Sequence, residues 1–207
     1  MRRERPSPLD APANEPYKAA KMSNDYEVKG TAVLSIAEFV STKFGPEGLE
    51  RWKAALSPGA RELVDPRLSA SSWFPGEYSN EMRQAIVDQF YGGDRSKVRA
   101  LGYFSAERGL TGVYKLAVKL GSPMWVIDRL GMVFSTYFRP GEVVLNKREA
   151  GFVVGTLEGF PDVSGIMVEV FAGFVQKALE LSGVSDPKVV VVKTSTDAGF
   201  EMHARWK

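Results

Sequence analysis

The sequence contains no cysteine and only one histidine, His203, among its 207 residues. The absence of cysteine excludes disulfide bonds, thiolate-bound zinc, iron–sulfur clusters and thiol nucleophiles. A metal site built on one histidine would need carboxylates for all its other ligands, so we expect no metal site. The usual sequence evidence for a disulfide scaffold or a metalloenzyme is therefore missing.

An excess of one charge and long apolar segments are missing as well. The 27 basic and 25 acidic residues leave a net charge of +2, without the clustered basic surface that nucleic-acid-binding proteins use. No apolar run approaches the roughly 18 residues that a membrane-spanning helix needs, and the N-terminus lacks the apolar segment of a secretory signal. We expect no nucleic-acid partner, no membrane span and a cytoplasmic location.

Residues 1–27 differ in composition from the rest of the chain, because proline, alanine, asparagine and charged residues dominate them. This composition is typical of a disordered extension, since it offers too little apolar surface to offset the entropy of folding. Residues 28–207 have the length of one domain, and the hydrophobic fraction of 44% supplies a core. We predict a disordered tail followed by a single domain.

Helical periodicity dominates the first part of that domain. Apolar residues recur at intervals of three and four over residues 33–40 and 82–90, which predicts two amphipathic helices. Gly45-Pro46 is predicted to interrupt the first helix, and Ser79 to cap the N-terminus of the second.

The segment 102–123, GYFSAERGLTGVYKLAVKLGSP, is rich in glycine and raises the possibility of a phosphate-binding loop. It has neither the P-loop spacing nor the Gly-x-Gly-x-x-Gly fingerprint, and no strand is predicted before Gly102. We predict packed helices instead, with glycines at helix ends or at close helix contacts.

The periodicity changes after Pro140. Residues 141–161 predict two strands joined at 146–149, residues 166–179 form the clearest amphipathic helix, and residues 186–207 predict a second hairpin. A helical block, a hairpin, one long helix and another hairpin together predict an α+β fold with an antiparallel sheet.

No catalytic constellation is evident in the sequence. The G-x-S-x-G motif of serine hydrolases is absent, and His203 falls on the polar side of a predicted strand, which favours a solvated or cross-strand-paired histidine. Glu107 and Arg108 adjoin in an otherwise apolar helix, where they form ion pairs or, alternatively, Arg108 holds an acidic group in a cavity. The chain is predicted not to be an enzyme.

Aromatic side chains crowd the helical block. They supply a core, and the same residues can line an apolar pocket for a small hydrophobic ligand. The predicted ligand-binding residues are Tyr103, Phe104, Arg108, Tyr114, Trp125 and Phe171.

Landmarks spread over residues 28–207 resemble a family of bacterial proteins of similar length that is abundant in myxobacteria. That family is remotely similar to a ligand-binding superfamily comprising four-vinyl-reductase (4VR) domains, haem-NO-binding domains and TRAPP vesicle-tethering subunits. The landmarks are Trp73, Pro75, Glu107, Arg108, Gly109, Tyr114, Gly121, Ser122, Pro123, Tyr137, Gly159, Phe160, Pro161 and Trp206.

The resemblance implies an α+β fold that dimerises through its helical block and a pocket between helices and sheet. Related domains often carry C-terminal cysteines for zinc or lipid, or a haem histidine on a helix, and this sequence has neither, so we expect no cofactor. We predict a dimeric, non-enzymatic sensor or binding module for a small hydrophobic ligand. The alternative is a dimeric scaffold with a filled core that binds a partner protein in signalling, polarity or motility.

Overall fold

A computed structural model describes residues 26–110, 122–161, 165–195 and 199–207. The chain divides into two compact units, Met1–Gly93 and Asp94–Lys207. Helices dominate the first unit, and helices and antiparallel strands make up the second, so the α+β class is confirmed. The disordered tail at 1–27 and the single domain at 28–207 stay predictions.

The first unit consists of three helices and a short antiparallel strand pair within the described residues. Gly45, with φ +72°, precedes Pro46 and interrupts the first helix, as predicted, because proline cannot continue the hydrogen-bond ladder. The elements are β1 (Glu27–Lys29), α1 (Gly30–Ala54), α2 (Pro58–Glu62), β2 (Trp73–Pro75) and α3 (Gly76–Phe90).

Helix α3 begins earlier than predicted. Ser79 lies inside the helix, fully buried, where its hydroxyl donates to the Gly76 carbonyl at 2.9 Å and accepts from Arg83 at 3.1 Å. The prediction that Ser79 caps the helix was wrong. Pro75 holds the extended conformation from which the helix starts, because its ring fixes φ.

A carboxylate with a strongly lowered pKa lies in the loop after α2. Asp65 accepts hydrogen bonds from Arg67 Nε at 3.0 Å and Nη2 at 2.6 Å. These side-chain hydrogen bonds lower the pKa of Asp65 to about 2. Since the folded-state pKa lies below the unfolded one, this pair stabilises the protein above the ordinary carboxyl pKa, and its contribution is lost as the pH falls through about 2.

Replacing Arg67 with glutamine is expected to raise the pKa of Asp65 towards its ordinary value of 3.8, because the charged donors are removed. The measurement is an NMR titration of the Asp65 carboxyl carbon. Lys97→Gln removes the same charge from the second unit and should leave this titration unchanged. An Asp65 pKa that stays near 2 in Arg67→Gln would contradict the assignment.

The second unit joins helices to a four-stranded antiparallel sheet. Its strands lie in the order β4-β5-β7-β6, so the two predicted hairpins pair side by side, and α7 connects them along the chain. After a 3-10 turn, the elements are α4 (Arg99–Gly109), α5 (Pro123–Ile127), α6 (Leu130–Tyr137), β3 (Phe138–Arg139), β4 (Glu142–Glu149), β5 (Phe152–Glu158), α7 (Ile166–Leu181), β6 (Lys188–Ser195) and β7 (Gly199–Arg205).

The first hairpin turns later than predicted. Residues 146–149 lie within β4, and the chain reverses at Ala150 and Gly151, where Gly151 has φ +74°. The prediction of a turn at 146–149 was wrong because those exposed polar residues follow a register irregularity between Leu145 and Lys147. A bulge interrupts the alternation of polar and apolar residues that marks a regular strand.

Helices α4 and α7 pack with their backbones in direct contact. A Cβ atom at Gly102 would lie 1.9 Å from the Val170 carbonyl oxygen, and one at Gly173 would lie 2.3 Å from the Arg99 carbonyl oxygen. The prediction of a close helix contact at Gly102 is confirmed. Gly112 and Gly121 lie outside the described residues.

Arg99 ties this helix pair to the sheet. Its guanidinium forms an ion pair with Glu169 on α7 and donates to the Val189 carbonyl of β6 at 2.7 Å. The face of the sheet that packs on α7 carries buried Val153, Leu157 and Met202. Among the described helices, none is both long and apolar enough to cross a bilayer.

Candidate ligand site on helices α4, α5 and α7

The six predicted ligand-binding residues fall on three helices of the second unit and on a segment outside the described residues. Tyr103, Phe104 and Arg108 lie on α4, Trp125 on α5 and Phe171 on α7. Tyr114 lies outside the described residues. The structure therefore locates five of the six predicted residues, and their surroundings differ from one helix to the next.

Trp125 belongs to an apolar cluster that we call the α5–α7 cluster. At its centre, the side chains of Val126 and Ala178 are buried, and four partly buried residues pack against them. The apolar surface thus continues from the core to a partly exposed surface. The four residues are Leu110, Trp125, Phe174 and Leu181.

Arg129 fixes the indole of Trp125. Its guanidinium carbon lies 3.7 Å from the centre of the indole, and its Nη1 donates to the Trp125 carbonyl at 3.2 Å. A stacked guanidinium holds the ring in one orientation without covering both of its faces. Trp125 stays partly exposed, so it offers a positioned apolar surface.

Polar groups from α4 and α7 form a small network in the same unit. Lys177 Nζ contacts Glu107 at 2.8 Å and Glu180 at 3.2 Å, and the hydrogen bond to Glu107 is the main cause that raises the pKa of Lys177. Burial, followed by the charge of Glu180, raises the pKa of Tyr103. Tyr103 is consequently a neutral phenol at physiological pH.

Glu107 and Arg108 differ in their surroundings. Glu107 forms an ion pair with Lys177 across the helix pair. Ion pairing was one of the two alternatives that the sequence predicted for Glu107 and Arg108. Arg108 is exposed, and its guanidinium lies 5.2 Å from the ring centre of Phe104 on the preceding turn. Its role as an anchor for an acidic group stays a prediction.

Phe171 lies in a different environment from Trp125. It is buried, and its ring centre lies 5.4 Å from that of Phe134, which also contacts Phe138 and Phe160 at 5.1 Å and 5.5 Å. We call these four phenylalanines the aromatic cluster. Protein side chains occupy the surroundings of Phe171, whereas Trp125 lies at a partly open surface.

The sequence did not identify Phe174, Leu181 and Arg129 as members of a site. Phe174 and Leu181 lie seven positions apart on α7, and this spacing places them on one helix face. Periodicity indicates which residues share a face, but it does not indicate which other helix covers that face.

His203 lies on the sheet, as predicted. Its Nε2 contacts Glu201 Oε1 at 3.0 Å, and its ring packs edge to face on Phe152 with 5.6 Å between centres. Within the described residues, no group of three histidine, cysteine or acidic side chains converges on a possible metal position.

Comparison with known proteins relates the chain to one fold. No family model and no curated protein matches the sequence. An H-NOX protein from K. algicida superposes with a TM-score of 0.67 at 11% identity, over 86% of this chain and 96% of that one. An S. oneidensis H-NOX protein in the Fe(II)NO state gives 0.65 at 10% identity, over 86% and 99%.

The fold of this chain is therefore H-NOX-like, which agrees with the predicted resemblance to haem-NO-binding domains. Identities this low show the fold alone. The likenesses to myxobacterial proteins, 4VR domains and TRAPP subunits stay predictions.

This fold raises the question of whether the chain binds haem, because one neighbour, with a TM-score of 0.63, is an H-NOX structure in which haem distortion was probed. The donors in this chain do not fit it. The sequence has no cysteine, and its single histidine lies on strand β7 of the sheet rather than on a helix.

Proposed function

We propose that the chain is a non-enzymatic sensor or binding module that holds a small apolar ligand against the α5–α7 cluster. The observation that carries this proposal is the positioned, partly exposed indole of Trp125 beside Phe174 and Leu181. The H-NOX-like fold supports it, because the neighbours of that fold include a protein in an Fe(II)NO state.

The physical basis is apolar burial. Covering apolar surface releases about 25 cal/mol per Å², so a ligand that covers about 200 Å² gains roughly 5 kcal/mol before the entropic cost of binding is subtracted. Tyr103 and Arg108 on α4 are the proposed hydrogen-bonding partners for a polar end of the ligand. We propose binding without haem, since the single histidine lies on strand β7 rather than on a helix.

The test uses the full chain and the neutral dye Nile red. We expect fluorescence titration to show saturable binding that Trp125→Ala weakens by about tenfold, because the indole supplies much of the apolar contact. Met132→Ala is the matched control, since Met132 is an exposed apolar residue of the neighbouring helix α6 and should leave the affinity unchanged. Equal binding by both variants would contradict the proposed site.

Native mass spectrometry separates this proposal from the scaffold alternative. A small molecule that copurifies with the chain and is lost in Trp125→Ala supports the sensor. A dimer without a bound molecule, together with no Nile red binding, would contradict the sensor and support a scaffold.

Titration with hemin completes the test. We expect no histidine-ligated Soret spectrum, and an identical response from His203→Ala. A histidine-ligated spectrum that disappears in His203→Ala would overturn the haem-free assignment.

A further inference from the structure

A groove of about 790 Å³ lies at one end of the sheet in the second unit. It is lined by residues near the end of β4, the start of β5, the start of β6 and the end of β7. None of its lining residues belongs to the α5–α7 cluster. It is therefore a separate surface.

The floor of the groove is one row of side chains across all four strands. Glu149 pairs with Phe152, Phe152 pairs with Arg205, and Arg205 pairs with Lys188. Directly paired residues of antiparallel strands point to the same face. The row therefore places one aromatic ring between charged side chains.

Positive charge exceeds negative charge in this groove, since four cations and two carboxylates give a difference of +2. Lys147 contacts Glu149 at 3.0 Å, and Lys188 contacts Asp186 at 3.3 Å, so both carboxylates are already neutralised. Arg205 forms no ion pair with any described residue. The charged lining residues are Lys147, Glu149, Asp186, Lys188, Arg205 and Lys207.

Arg205 is positioned rather than free to rotate. Its guanidinium carbon lies 4.8 Å from the ring centre of Phe152, while its side chain stays exposed. A guanidinium stacked on a ring keeps its N–H groups available at its edge, where they match the two oxygens of a carboxylate or phosphate.

A second aromatic residue stands beside this donor. Trp206 lines the groove, and its backbone N–H donates to the Gly151 carbonyl at 2.9 Å. The turn of the first hairpin thereby fixes the end of β7. Among the described residues, the groove combines a guanidinium that has no ion-pair partner with two aromatic side chains, Phe152 and Trp206.

We propose that this groove binds a small organic anion whose carboxylate or phosphate is attached to an aromatic ring. Phe152 already carries Arg205 and Lys147 over its ring, at 4.8 Å and 5.3 Å from the ring centre, so its role is to hold these cations in place. The anionic group contacts Arg205, and the ring of the ligand packs against Trp206. Because the charges lie at an exposed rim, binding weakens as salt is added. This site does not depend on the function proposed for the α5–α7 cluster.

The experiment is isothermal titration calorimetry of the full chain with phenyl phosphate, inorganic phosphate and benzyl alcohol. We expect phenyl phosphate to bind about tenfold more tightly than either of the others, because only it supplies both the anion and the ring. Inorganic phosphate that binds as tightly as phenyl phosphate indicates an adventitious ion only, and overturns the proposal. Absence of binding overturns it as well.

Two variants locate the binding. Arg205→Gln and Phe152→Leu are each expected to weaken phenyl phosphate by about tenfold. Lys97→Gln is the matched control, since it removes an exposed cation that lies outside the groove in the same unit, and should change the affinity by less than about twofold. Unchanged affinity in Arg205→Gln rejects the site. Trp125→Ala should bind phenyl phosphate with the affinity of the parent. The groove can therefore be tested even if the α5–α7 cluster binds no ligand.

Discussion

Gly102→Ala is expected to destabilise the second unit by about 3 kcal/mol, at the upper end of what overpacking costs. The added methyl carbon would lie 1.9 Å from the Val170 carbonyl oxygen and 2.7 Å from the Phe174 backbone nitrogen. Neither atom belongs to a side chain that can rotate away. Helix α4 must therefore move off α7, which also disturbs the contact of Gly173 with the Arg99 carbonyl.

Gly109→Ala is the matched control, because Gly109 ends the same helix and, among the described residues, only the Tyr137 hydroxyl approaches its Cβ position, at 3.9 Å. Alanine is the better helix former, so this variant should be as stable as the parent or more stable by up to about 1 kcal/mol. Urea denaturation followed by circular dichroism measures both variants. Equal stability of the two would show that α4 and α7 are not in backbone contact in solution.

The role of Gly102 was predictable from the sequence, but the helix that it contacts was not. The absence of a P-loop and of a preceding strand excluded a phosphate site at Gly102, and this left helix ends and helix contacts as alternatives. The partner helix was not identifiable, because α7 begins more than sixty residues later in the chain. Only the folded chain brings Val170 to Gly102.

The hairpins were predictable because their signal is local. Alternation of polar and apolar residues over 200–207 predicted the last strand, which is β7 (Gly199–Arg205) and pairs with β6 as a hairpin. The turn of the first hairpin was misplaced, since the polar run at 146–149 resembles a loop while Gly151 provides the positive φ. Composition alone places the turn at the polar run, but the turn needs a residue with positive φ, which glycine adopts most readily.

The ligand residues were the least predictable part of the chain. The sequence predicted Trp125 from the helical block and Phe171 from the last helix as ligand-binding residues, yet Trp125 lies at a partly exposed cluster and Phe171 in a buried one. Residue type determines how much apolar surface a side chain carries. Whether that surface faces protein or ligand depends on tertiary packing, which a local pattern does not contain.

Phe134→Ala is expected to lower the free energy of unfolding by about 3–5 kcal/mol. Phe134 is 1% exposed and contacts all three other rings of the aromatic cluster, Phe138, Phe160 and Phe171. Truncation removes these contacts and leaves a cavity lined by rings. Met132→Ala, on the same helix but 60% exposed, should change stability by less than about 0.5 kcal/mol.

Adding benzene turns this variant into a test of whether the cluster around Phe171 is filled. An apolar cavity the size of a ring stays dry and binds benzene, and a ligand that binds only the folded state raises its stability. Benzene should therefore raise the Tm of Phe134→Ala by more than that of the parent, in which it can bind only at the α5–α7 cluster. A rise in the parent that is as large, and that persists in Trp125→Ala, would mean that the aromatic cluster already contains room for a ligand. Phe171 would then be a ligand-binding residue, as its sequence context predicted, and the ligand site would extend from the surface at Trp125 into the core.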